Sequence, residues 1–130
     1  MDILKSRKRY LVFILAVMMV VVSAMPCFAA TKEAKLKVGD WVATSGSAEG
    51  NYAKISGGYV ELSSDLPVWF VIESNKGGYH DVAKEKVGVG KSPTGVSYKG
   101  ETTNYRLELN PYGTGTTGCV ANGSIYITTK

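Results

Sequence analysis

Between Tyr112 and Thr129 the chain reads YGTGTTGCVANGSIYITT, and this stretch decides the fold class. Gly113, Gly115 and Gly118 spell the GxGxxG of a dinucleotide-binding loop, which would demand an α/β architecture. That loop needs a helix whose N-terminus meets the pyrophosphate, a following parallel strand, and an acidic residue about 20 positions on. Only 12 residues follow Gly118, and no Asp or Glu occurs beyond Glu108, so no nucleotide cofactor is expected. The other reading is a turn that feeds antiparallel strands. Asn122-Gly123 is the favoured pair for a type I′ turn, and it separates TGCVA from SIYIT. The resulting hairpin would set Val120 opposite Ile125 and Cys119 opposite Tyr126.

Working outward, the same period of two recurs. In NYRLELN, Tyr105, Leu107 and Leu109 fall on one face and Arg106 and Glu108 on the other, the pattern of a strand with one wet side. VWFVIES is apolar on both faces, with Val68, Phe70 and Ile72 alternating with Trp69 and Val71, which predicts a central strand covered on both sides. Pro67 stands at its edge, and SNKGG after it reads as a turn. Weaker strands are DWVAT from Asp40, GYVEL from Gly58, YHDVAKEKVGV from Tyr79 and GVSYKGE from Gly95; only DVAKEKV could form a helical turn instead. About eight short strands near 100 residues predict an all-β fold, a small antiparallel β-sandwich, with a small β-barrel as the alternative.

The N-terminal part belongs to a different population. Lys5, Arg7, Lys8 and Arg9 precede an apolar run over residues 10–22, then Pro26-Cys27-Phe28-Ala29-Ala30, the three parts of a cleavable signal-peptide helix. Small Cys27 and Ala29 place the cut between Ala29 and Ala30. This divides the chain into a signal peptide at 1–29, a short charged tether at 30–37 and a single β-sandwich domain at 38–130. An uncleaved membrane anchor is the minor alternative, disfavoured because a span needs about 20 apolar residues and this run stops at Pro26. Four of the 15 basic and one of the 11 acidic residues leave with the signal, so net charge falls from +4 to +1. The basic balance thus belongs mainly to the export signal and argues for no nucleic-acid partner; the membrane is met only through the signal peptide during export.

Of the two cysteines, Cys27 lies in the signal and Cys119 in the domain, so the mature chain is expected to be disulfide-free, which suits bacterial export. Cys119 reads as a small buried hydrophobe before it reads as a reactive thiol. Gly90-Lys91-Ser92 resembles the end of a P-loop, but Glu85 occupies the position of its first glycine and Pro93 follows where a helix should start, so Ser92–Gly95 is read as a turn. His80 is the lone histidine; neither a Cys119–His80 dyad nor a zinc site has recognisable spacing. Hence no catalytic residue, metal or cofactor is assigned.

Aromatic content is the more suggestive signal. Seven tyrosines and two tryptophans remain after residue 29, and Trp41, Tyr79 and Tyr112 lie beside turn residues, where rings at strand ends can bind a ligand; ordinary cross-strand packing is the plainer alternative. The expected function is a secreted, non-enzymatic binding module for cell-envelope polysaccharide or an extracellular protein. Two alternatives stand beside it: a secreted antibacterial or pore-forming protein, and a small extracellular hydrolase with an unrecognised site.

Overall fold

The structure, a computed structural model, describes residues 29–112 and 118–130. The expected signal helix, Gly113 and Gly115 lie outside the described residues. Among the described residues every regular element is a strand: β1 Ala30–Leu36, β2 Ala43–Thr44, β3 Ala48–Val60, β4 Val68–Asn75, β5 Tyr79–Val87, β6 Ser97–Pro111 and β7 Ala121–Thr128. They form one antiparallel sheet in the order β1-β7-β3-β6-β4-β5, with β2 also on β6.

This sheet becomes a small β-sandwich because β6 serves two neighbourhoods. Its first part, Ser97–Tyr105, pairs with β3, while Tyr105–Pro111 pairs with β4 on the opposite edge and with β2 at Leu109 and Glu108. The sheet therefore turns over, and the alternating apolar residues of its two halves meet. Val68, Phe70 and Ile72 of β4 and Tyr105, Leu107 and Leu109 of β6 pack against Ile55 and Val60 of β3 and Ile125 and Ile127 of β7, all fully buried. The alternation expected of NYRLELN is found, Pro111 ends its strand, and Gly77 and Gly78 make the β4–β5 turn with positive φ.

The expected Asn122-Gly123 hairpin is corrected. β7 runs straight through both residues, neither of which has positive φ, and pairs with β1 on one side and β3 on the other. Gly123 is small for another reason: a Cβ there would lie 2.8 Å from the Phe70 ring and 2.9 Å from Leu107 Cδ2. Its partner across the ladder, Gly58, meets the same ring at 2.7 Å and has φ +147°. The paired glycines make a seat for Phe70, so close approach from the facing half explains them.

Residues 30–36 are likewise a strand, not a tether. Ala34 and Leu36 are buried while Thr31, Glu33 and Lys35 are exposed, and every residue has a partner in β7. The charge density that suggested a tether is what a one-sided edge strand needs on its wet face and against edge-to-edge pairing. GVSYKGE and NYRLELN join into the single β6, and DVAKEKV is strand throughout, so seven strands stand where about eight were expected. β4 is central as expected, but among the described residues no other layer covers its second face.

Candidate functional site

That outer face of β4 is the candidate site. Directly opposed residues in an antiparallel ladder share a face, so the register lays out its rows. Trp69 stands between Lys86 of β5 and Asn110 of β6; Val71 between Lys84 and Glu108; Glu73 between Asp81 and Arg106. Side chains from the flanking strands close over the middle and far rows, leaving Val71 only 4% and Glu73 only 6% exposed, whereas Trp69 stays half-buried.

One end of this face is aromatic. Trp69 and Tyr112 form a tilted pair, with centroids 5.9 Å apart and planes at 44°, an arrangement favoured by the ring quadrupoles. Tyr112 is held there by its N–H, which donates to Pro67 O at 2.9 Å. Lys84 Nζ lies 4.8 Å from the Trp69 centroid and Lys86 Nζ 4.7 Å from that of Tyr112, both within cation–π range. Neither lysine is among the ion pairs of the described residues, which are Lys76–Glu101 and Arg106–Glu73.

The other end is acidic, with one arginine among its carboxyls. Carboxylate oxygens of Glu73, Asp81 and Glu108 lie within 4.8 Å of one another. Arg106 Nε donates to Glu73 Oε1 at 3.0 Å, and its guanidinium stacks 3.7 Å from the Tyr79 ring centroid. Burial, then the neighbouring charge of Glu73 and a hydrogen bond with it, then Asp81, push the Glu108 carboxyl up to about 7 against the pull of Arg106. Near neutral pH Glu108 can therefore carry a proton and donate, while Arg106 pairs with Glu73. Asn110 Nδ2 approaches Glu108 Oε1 at 3.4 Å and links the two ends of the face.

Of the sequence-derived ligand candidates, the structure brings Tyr112 into this face and keeps Tyr79 at its far edge. Tyr79 opposes Asn75 at the β4–β5 turn, whereas Tyr112 follows Pro111, which opposes Val68 at the other end of β4. Trp41 precedes β2 in the segment after β1 and is 71% exposed. Ala43 opposes Leu109, which puts Trp41 near the Tyr112 end. At the expected cleavage point, Ala29 directly precedes β1 and Ala30 begins it. His80 is exposed near Gly77 and Gly78, while Cys119 is buried with Sγ 3.6 Å from Leu66 O, before the opposite end of β4; the structure does not assemble a dyad. Sequence reasoning missed Trp69, Lys84, Lys86 and Asn110. Their signal was the alternation of lysines in KEK at 84–86: a strand that turns two ammonium groups onto the face shared with Trp69 cannot lie beneath a second apolar layer.

No family model matches the sequence, and no curated protein matches it. Distant likenesses occur among solved structures. The chain is similar to the Yersinia pseudotuberculosis-derived mitogen at 10% identity and TM-score 0.42, covering 76% of this chain and 84% of that one. It is similar to a protein of Bacillus endospore appendages, which form disulfide-linked pili, at 14% identity and TM-score 0.43, covering 81% and 88%. A family 6 carbohydrate-binding module matches at 10% identity and TM-score 0.37, covering 73% and 70%. Likenesses of this degree do not extend to ligand or activity.

Proposed function

We propose that this chain is an exported, non-enzymatic binding module that holds a cell-envelope polysaccharide on the outer face of β5, β4 and β6. The observation that carries the reading is the Trp69–Tyr112 pair standing on a sheet face that no second layer of the described residues covers, beside Asn110 and Glu108. Flat rings receive the apolar faces of sugars, and neighbouring amide and carboxyl groups receive their hydroxyls. Export rests on the N-terminal pattern, and N-terminal sequencing of the secreted product is expected to begin at Ala30.

The test is co-sedimentation of residues 30–130 with isolated bacterial cell walls at low and high salt. Salt-resistant pelleting that Trp69→Ala abolishes supports the reading; a protein that stays in the supernatant at both salt concentrations overturns it and leaves an extracellular protein as the ligand to seek.

A second reading, an antibacterial or pore-forming protein, is favoured by one observation. The exposed large hydrophobics Val38, Trp41, Val42, Leu62 and Tyr112 all lie on segments gathered at one end of the sandwich. There the ends of β1 and β3 flank the start of β7, and Tyr112 bonds Pro67. Tryptophan and tyrosine suit a membrane interface. Dye release from liposomes by the wild type, lost in a Trp41→Ala and Leu62→Ala double variant, would favour this reading over the first.

A further inference from the structure

We infer that the ligand of the aromatic end is an anionic glycan, a sugar polymer bearing carboxylate or phosphate groups, with Trp69 and Tyr112 stacking a sugar ring and Lys84 and Lys86 taking its negative charge. This rests on the binding-module reading above and specifies the ligand's charge.

Three features of the face carry it. First, the two lysines are adjacent on one side of β5, separated by two strand positions and hence by about 6.8 Å. They lean onto the rings at 4.8 and 4.7 Å. An ammonium group over an exposed ring is held more weakly than one hydrogen-bonded to an anion, so an arriving carboxylate or phosphate can draw each lysine from its ring and clear that ring for stacking.

Second, the other cation that the described residues place on these rows is committed. Arg106 is bonded to Glu73 and stacked on Tyr79, and those contacts fix it at the far end. The acids that face the site from β4 and β5, Glu73 and Asp81, lie in that same far row, two rows from Trp69. The fixed charges, Arg106 with Glu73 and Asp81, thus gather at the far end of β4, while Lys84 and Lys86 stand toward the aromatic end.

Third, the carboxyl of the middle row, Glu108, shares its row with Lys84 and is held protonated up to about 7. Below that pH it offers an acid hydroxyl to the ligand; above it, a charge that repels an anion. Binding is therefore expected to weaken as pH rises through about 7, and the Glu108→Gln variant is expected to flatten that dependence.

The deciding experiment measures affinity of residues 30–130 by titration calorimetry for oligogalacturonate, for a phosphate-bearing wall teichoic acid, for neutral cello-oligosaccharides, and for polyglutamate as an anion without sugar rings. One or both anionic glycans are expected to bind at least tenfold more tightly than the neutral chains and polyglutamate, and the pair distinguishes carboxylate from phosphate as the favoured charge. A Lys84→Gln and Lys86→Gln variant with unchanged melting temperature is expected to lose that margin, while retaining whatever neutral-sugar binding Trp69 supports. Equal or tighter binding of neutral oligosaccharides overturns the inference and leaves the binding-module reading standing. Equal binding of polyglutamate overturns the stacking role. If no glycan binds and cell walls fail to pellet the protein, both fall together.

Discussion

The two faces of β4 meet different surroundings. Inward, Val68, Phe70 and Ile72 are completely buried and touch the other half of the sheet. Outward, among the described residues, Trp69, Val71 and Glu73 are flanked by side chains of β5 and β6, several of them charged, and by Tyr112. Both rows are apolar enough to look like core in the sequence. The contrast teaches that burial by a second layer and burial by a strand's own neighbours produce different surfaces: the first is sealed, while the second can open when a lysine changes rotamer.

The largest expected effect lies on the inner face. Phe70→Ala empties the seat formed by Gly58 and Gly123 and should cost about 3–5 kcal/mol in urea unfolding. A cost below about 1 kcal/mol would erase the distinction between the faces. Leu36→Ala tests whether β1 is part of the fold, since a fully buried leucine should cost about 2–5 kcal/mol, whereas a tether residue would cost almost nothing.

Gly123→Ala comes next, at about 1–3 kcal/mol from overpacking against Phe70 and Leu107. It sharpens the comparison through coupling: combined with Phe70→Leu, part of that cost should return. If Gly123 were at a turn, the two substitutions would add independently. On the outer face, Trp69→Ala should change stability by about 1 kcal/mol, the scale of an aromatic pair, yet abolish cell-wall pelleting. The last effect is from pH, and solvent screening of a carboxyl that is only partly buried reduces it well below what its shift alone would give. Because the folded Glu108 carboxyl titrates at about 7 and its ordinary value is 4.5, the unfolded chain releases this proton first. Its stabilising contribution is full below 4.5 and is lost as pH rises to about 7. Glu108→Gln should remove this slope from melting temperatures measured across that window.

Much of the fold was legible locally. The alternation in NYRLELN, the turn glycines after Asn75 and the prolines at strand edges each act through their own backbone, and all read correctly. The site was legible in part. Tyr112 was visible as a ring beside a turn, but Trp69 was mistaken for core because its face depends on what β5 and β6 place beside it. The charged residues of β1 misled for a related reason, since a one-sided edge strand and a solvated linker have similar composition.

By itself, then, the sequence determined the all-β class, because a period of two and the conformational limits of Gly and Pro are local properties. Whether Asn122-Gly123 would turn or run straight was decided by the tertiary structure. An isolated Asn-Gly favours the turn, but here a ring from a distant strand needs the volume that a glycine side chain leaves empty, and pairing with β1 and β3 holds the backbone extended. The same long-range pairing decided that Trp69 would face outward between lysine and asparagine, because strand order is set by contacts that no short stretch contains.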